Sequence, residues 1–314
     1  MSFQDATDLC ETLRQNVASV VLGKPALIDQ LLVGLLAGEH LLLEDVPGVG
    51  KTLAAKAIAR SIRAKFSRLQ FTPDLLPSDI TGSMIYRTDL GTFEFTPGPV
   101  FANIVLADEI NRAPPRTQAA LLEAMSEGQV SIDGVTHSLP QPFMVIATQN
   151  PFEYEGTYSL PESQLDRFLM RSSIGYPDRL IERDVLTTHQ SGEPVDELVS
   201  VVDVDQIIQA QEVVGQVRFD ESLADYLLDI VQATREHSSF QVGVSTRAAL
   251  SFYRGCQALA IVRGRDYVTP DDIQELAVPT LAHRVLPEGV FQGGRRQVVE
   301  QQIADLILPI QVPV

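Results

Sequence analysis

Leu41-Leu42-Leu43-Glu44-Asp45-Val46-Pro47-Gly48-Val49-Gly50-Lys51-Thr52 begins as a short apolar run, turns through two glycines and continues as the Ala-rich pattern from Leu53 to Arg63. The run reads as a buried strand and the continuation as a helix, so the stretch is strand, tight turn, helix. Glycines at such a turn let successive backbone N–H groups face phosphate oxygens at a helix N-terminus. Pro47, Gly48, Val49, Gly50, Lys51 and Thr52 then form a phosphate loop, with Lys51 reaching the β- and γ-phosphates and the Thr52 hydroxyl facing Mg2+. The strict pattern has glycine where this chain has Asp45. A Gly-rich turn carrying a solvent-exposed lysine is the bland alternative.

Outward from that turn, further buried strands are expected at 67–71, 103–107 and 143–148, separated by segments long enough for crossover helices. This alternation predicts an α/β fold: a three-layer αβα arrangement around a parallel sheet. Two hairpins interrupt it, Ser83 to Phe95 around Thr88-Asp89-Leu90-Gly91, and Gln129 to Leu139 around Asp133-Gly134, a favoured two-residue turn. A helix from Pro114-Pro115 to Gly128 lies between them. Tyr86, Phe93 and Phe95 are either cross-strand packing or contacts to a client.

The second strand of chemical interest, Asn103-Ile104-Val105-Leu106-Ala107-Asp108-Glu109, delivers two carboxylates at its carboxyl end, where open parallel sheets place their ligands. It reads as a Walker B element, in which Asp108 holds Mg2+ directly or through water and Glu109 orients and deprotonates the attacking water. Acids ending a strand are otherwise ordinary turn residues. A third strand ends at Gln149-Asn150, its tip beside the second. Asn150 either senses the γ-phosphate or water, or caps the turn before Pro151.

Beyond Arg171 strand signals fade; Gly175-Tyr176-Pro177-Asp178 reads as a linker, and helices are expected near 178–189, 203–214, 220–237, 246–263, 270–282 and 295–308. The chain therefore divides into an αβα core over 1–175 and an all-α lid over 176–314. Its 314 residues carry a formal net charge of -17, which repels a phosphate backbone and makes nucleic acid an unexpected partner. The two cysteines, Cys10 and Cys256, stand far apart without metal-ligand spacing, and the five histidines form no cluster. An acidic N-terminus and short apolar runs predict neither export nor a membrane span, and a cytoplasmic location.

Taken together these residues resemble the AAA+ ATPases, and Leu43 to Thr52 looks like the MoxR family within them. Phe71-Thr72-Pro73-Asp74-Leu75-Leu76-Pro77-Ser78-Asp79, Asp108 to Pro115, Ala147 to Pro151 and Leu160-Pro161-Glu162-Ser163-Gln164-Leu165-Asp166-Arg167-Phe168 are similar to further signatures of that family. Asp45 is familiar there. The resemblance implies ATP and Mg2+ as cofactors and a homo-oligomer, expected to be a hexameric ring. Arg167 matches the arginine finger that enters the neighbouring subunit's site; otherwise it is a surface ion pair with Glu162 or Asp166. Arg247, which starts a helix after the cap residue Ser245, matches the second sensor arginine, in cis or in trans. The hairpins correspond to the helix-2 insertion and the pre-sensor hairpin.

The function so implied is ATP hydrolysis coupled, chaperone-like, to maturing or activating partner protein complexes, often ones with a von Willebrand factor A domain. The alternatives are a nucleic-acid remodelling ring similar to the minichromosome-maintenance helicases, a magnesium-chelatase-type ATPase subunit, and a non-catalytic ATP-dependent switch.

Overall fold

The computed structural model describes residues 1–46, 48–150, 157–188, 193–289 and 295–313. In chain order the first part contains α1 (Phe3–Ala18), α2 (Pro25–Ala37), β1 (Leu41–Glu44), α3 (Lys51–Ser61), β2 (Phe66–Gln70), α4 (Pro77–Thr81), β3 (Gly82–Arg87), β4 (Thr92–Pro97) and β5 (Ile104–Asp108). It continues with α5 (Pro115–Glu127), β6 (Gln129–Ile132), β7 (Val135–Ser138), β8 (Met144–Gln149), α6 (Glu162–Leu165) and β9 (Met170–Ser172). The remainder holds α7 (Arg179–Thr188), α8 (Val204–Val214), α9 (Glu221–Glu236), β10 (Phe240–Val242), α10 (Thr246–Val262), α11 (Pro270–Leu281), β11 (Leu286–Pro287) and α12 (Arg295–Ile307).

Five parallel strands make the central sheet in the order β2-β5-β8-β1-β9. Every residue of β1 and β5 is buried, which is why these strands read as continuous apolar runs rather than as alternation. The two faces nonetheless sort by the period of two that a pleated strand imposes. Leu42, Val105, Ala107, Val145 and Ala147 pack with Leu121, Leu122 and Met125 of α5. Leu41, Leu43, Ile104, Leu106 and Ile146 face the other way, into a cluster shared with α1, α2 and α3.

That second cluster runs on without a break into the C-terminal helices. Phe252, Cys256 and Leu259 of α10 and Ile207 and Ala210 of α8 join Leu31, Leu32 and Leu35 of α2, and α10 packs along α2. The helical part is thus anchored through the N-terminal helices.

Local signals behave as their chemistry requires. Ser2 caps α1 in a reciprocal capping box with Asp5, α5 starts on Pro115 and stops at Gly128 in the left-handed region, and the β6–β7 hairpin turns through Asp133 (φ 50°) and Gly134 (φ 80°), the two positive dihedrals of a type I′ turn. Strand β9 and the small antiparallel β10–β11 pair were not among the expected elements. With three residues or fewer each, they show no periodicity of their own. Met170 is held beside β1 because Phe168, Leu169 and Met170 are fully buried.

Candidate active site

Helix α3 starts at Lys51, directly after Gly50 (φ 95°), with Gly48 at φ 84° two residues earlier. A Cβ on either glycine would meet nothing within 4 Å, so it is the left-handed backbone, not crowding, that calls for glycine. Among the described residues no side chain caps α3, and the positive end of its dipole favours an anion at this terminus. Pro47 lies outside the described residues.

Gly48, Val49, Gly50, Lys51 and Thr52 line one cavity together with Asp108, Glu109 and Asn150. At about 570 Å³ it falls in the range of small-molecule and cofactor sites. The parallel register explains the convergence: Gln70 pairs with Asp108, and Glu44 with Gln149, so the carboxyl ends of neighbouring strands finish level. Val20, Val21, Leu22, Leu27, Ile174 and Val185 give the same cavity an apolar wall, suited to a flat base. No motif announces these residues, because they come from the α1–α2 connection, the first turn of α2, the linker and α7.

Lys51 is buried and donates through Nζ to Asp45 O at 2.7 Å. Asp45 has its own task. One carboxylate oxygen accepts the N–H groups of Ile174 and Gly175 at 2.7 and 2.6 Å, the other that of Val46 at 2.8 Å. From the other side Lys24 Nζ donates to the carbonyls of Ile174 and Tyr176. Asp45 thus fastens the start of the phosphate loop to the linker.

The Thr148 hydroxyl, fully buried, joins the two acids: it donates to Asp108 Oδ1 at 2.7 Å and accepts the Glu109 N–H at 3.0 Å. The other oxygen of Asp108 accepts from Arg68 Nη2 at 2.6 Å. Glu109 sits at φ 57°, a left-handed conformation costly for a residue with a side chain, and its carboxylate is held by Gln70 Nε2 at 2.8 Å and Arg112 Nε at 3.1 Å. Thr148, Arg68, Gln70 and Arg112 were missed as site residues. Thr148 belongs to the apolar strand β8, and nothing in its local sequence marks it as a bridge.

Among the described residues no group of three or more His, Cys, Asp or Glu forms a metal cage. Thr52 and Asp108, two hard oxygen donors on one cavity wall, fit a Mg2+ ion that completes its shell with phosphate and water.

Arg167 and Arg247 are not in that cavity. Arg167 donates through Nη1 to Leu122 O of α5 at 2.6 Å, while the neighbouring Asp166 pairs with Arg284. Ser245 caps α10 by accepting the Ala248 N–H at 3.0 Å, and Arg247 is exposed in the first turn. The Ser245 hydroxyl also reaches Asp166 Oδ2 at 3.4 Å, so both arginines belong to one region, apart from the phosphate loop of their own chain.

On the hairpins, Phe95 stacks on His137 with centroids 4.1 Å apart and so joins one ribbon to the other. Tyr86 and Phe93 form a cross-strand pair at 5.2 Å yet remain 51% and 66% exposed.

Residues 40–170 match the model of the ATPase family associated with various cellular activities (AAA), and residues 232–307 match that of the AAA lid domain. The chain is 50% identical to uncharacterized protein YeaC of Bacillus subtilis over 95% of its own length and 94% of that protein's. It is 43% identical to Chaperone MoxR1 of Mycobacterium tuberculosis, over 86% of this chain and 74% of the relative. A solved structure from Cytophaga hutchinsonii, named only as a candidate ATPase, superposes with a TM-score of 0.89 at 39% identity, covering 98% of this chain and 96% of that one. No helix among the described residues is long and apolar enough to cross a membrane.

Proposed function

Because the chain belongs to the MoxR family of AAA+ ATPases, we propose that it hydrolyses ATP with Mg2+ at sites completed by a neighbouring copy, and that it uses the resulting motion as a chaperone on partner proteins. The observation that carries this reading is the separation within one protomer: Lys51, Thr52, Asp108, Glu109 and Asn150 share a cavity that neither Arg167 nor Arg247 lines.

In this reading the first amides of α3 and Lys51 hold the phosphates, and Thr52 and Asp108 would hold Mg2+, which supplies charge neutralisation when bound. Glu109, oriented by Gln70 and Arg112, takes the proton from the attacking water, and Asn150 hydrogen-bonds the γ-phosphate or that water. In this reading Arg167 and Arg247 both act on the next protomer's site, a trans role for Arg247 being supported by its place outside the cavity of its own chain. A finger delivered in trans is worth about 10³–10⁵ in rate. The geometry supports a closed ring, expected to be a hexamer, because a heterologous contact repeats around an axis.

The division into 1–175 and 176–314 falls at the linker that Asp45 and Lys24 grip, so movement of the helical part is referred directly to the phosphate loop. The exposed Tyr86–Phe93 pair is a surface for a client, for which a complex with a von Willebrand factor A domain is the family expectation.

ATP turnover measured against protein concentration for wild type, Lys51→Ala, Glu109→Gln and Arg167→Ala tests the proposal. Lys51→Ala should lose nucleotide binding, Glu109→Gln should bind without turnover, and a mixture of Glu109→Gln with Arg167→Ala should recover part of the activity. Absence of recovery in rings shown to be mixed would overturn the shared site.

A further inference from the structure

Arg284, three residues beyond α11, is the most deeply buried cationic side chain around the Arg167 segment, with 1% of its side chain exposed. Burying a guanidinium this completely is unfavourable unless its donors are matched. Here Nη2 donates to the carbonyls of Asp166 and Phe168 at 3.2 and 2.9 Å. Nε makes an ion pair with Asp166 Oδ1 at 3.2 Å without a hydrogen bond, and Nη1 is buried without a hydrogen-bond partner among the described residues, so it is the charge pairing and the two carbonyls that hold the guanidinium in place. Burial pushes this guanidinium down to about 10, so it stays charged at neutral pH.

The adjacent His283 donates from Nε2 to the same Phe168 carbonyl at 2.9 Å. Residues 166 and 168 are therefore held on both sides of Arg167 by one corner of the helical part. The finger's own guanidinium is meanwhile steadied by Leu122 O in the αβα part. Asp166 adds a second tie, through the Ser245 hydroxyl at the start of α10.

We propose that Arg284 is a positioning residue for Arg167: it sets where the finger projects toward the neighbouring protomer and makes that position follow the orientation of α10 and α11. This rests on the trans-acting role given to Arg167 above. The rigid fork of a guanidinium suits the task, since it engages two carbonyls and a carboxylate at once, whereas a lysine ammonium in the same space is a point charge that cannot span them. A purely structural Arg284 would hold the fold together without any particular link to Arg167, and that difference is measurable.

The experiment compares wild type, Arg284→Lys, Arg167→Ala and the double variant, with kcat, affinity for a fluorescent ATP analogue, thermal unfolding and ring mass read for each. Arg284→Lys should keep the ring and nucleotide affinity within about twofold of wild type while kcat falls roughly 10- to 100-fold, the scale of a misplaced catalytic group. The double variant should be no slower than Arg167→Ala, because a finger that is absent cannot be misplaced. Mixing Arg284→Lys with Glu109→Gln should restore turnover as Arg167→Ala does.

Multiplication of the two losses in the double variant, or a wild-type kcat in Arg284→Lys, overturns the inference. Should Arg284→Lys fail to fold, Asp166→Asn, which removes the carboxylate and leaves both carbonyls in place, must show the same masking by Arg167→Ala; independent losses again overturn it. If Arg167→Ala itself turns over at the wild-type rate, the finger assignment fails first. A slow Arg167→Ala beside an unaffected Arg284→Lys refutes only the role of Arg284.

Discussion

The carboxylate of Asp45 accepts the backbone N–H of Gly175 at 2.6 Å. The position that departs from the usual glycine of a phosphate loop is therefore a strut between the loop and the linker to α7. Glycine there would leave the amides of Ile174, Gly175 and Val46 without the acceptor that now serves all of them.

Asp45→Ala removes a charged acceptor from those amides, and hydrogen bonds to charged groups contribute about 1.5–3 kcal/mol. Urea unfolding should show a loss of that order, and nucleotide titration a weaker affinity, since Ile174 also forms part of the cavity wall. Unchanged affinity would mean that the linker holds its place without Asp45.

Thr148→Val keeps the shape of a fully buried side chain but deletes the hydroxyl that bridges Asp108 and the Glu109 N–H. The stranded amide should cost about 1–3 kcal/mol of stability. Because Glu109 is held in a left-handed conformation, it should also drift from its working position. The expected signature is a kcat reduced at least tenfold at nearly constant nucleotide affinity, an order of magnitude being about 1.4 kcal/mol of barrier.

Arg68 places a positive charge 2.6 Å from the outer oxygen of Asp108, the acid assigned to Mg2+. Arg68→Gln should lower the Mg2+ concentration that half-saturates binding of a fluorescent ATP analogue. With the Arg68 side chain 48% exposed, solvent screening limits the change to roughly threefold, under 1 kcal/mol. A raised Mg2+ requirement would instead assign Arg68 to the nucleotide's own phosphates.

His40 is buried, donating from Nε2 to Met125 O and accepting the Val145 N–H at Nδ1, each at 3.1 Å. Burial, reinforced by the charge of Arg247, pushes its pKa from 6.5 down to about 4. His283 is likewise held well below the usual range by burial and by Arg284 and Arg171. Well above pH 6.5, as at pH 7.5, both imidazoles are essentially neutral in either state. As pH falls toward 4, the unfolded chain binds protons that the folded chain refuses, so stability declines. At about 1.4 kcal/mol per pH unit, His40 alone accounts for roughly 3 kcal/mol of loss by pH 4. Urea midpoints between pH 7.5 and 4.5 should fall steeply for wild type and less steeply for His40→Gln, even though that variant is weaker at pH 7.5.

Some of this protein is decided within a few residues of chain. The phosphate loop, the turn at Asp133-Gly134, the span of α5 and the strands β1, β5 and β8 all depend on dihedral preferences, caps and apolar runs, which neighbouring residues determine between themselves. The acids Asp108 and Glu109 were legible for the same reason, since a strand end can be read from the strand. Which distant groups meet is settled only when the chain packs. Thr148 becomes a bridge because β5 and β8 lie side by side, Ile174 becomes a cavity wall because Asp45 holds its amide, and Arg284 reaches Asp166 across 118 positions of chain. Such contacts carry no local period or spacing. They exist only once burial of the shared apolar core has brought the helices to the sheet.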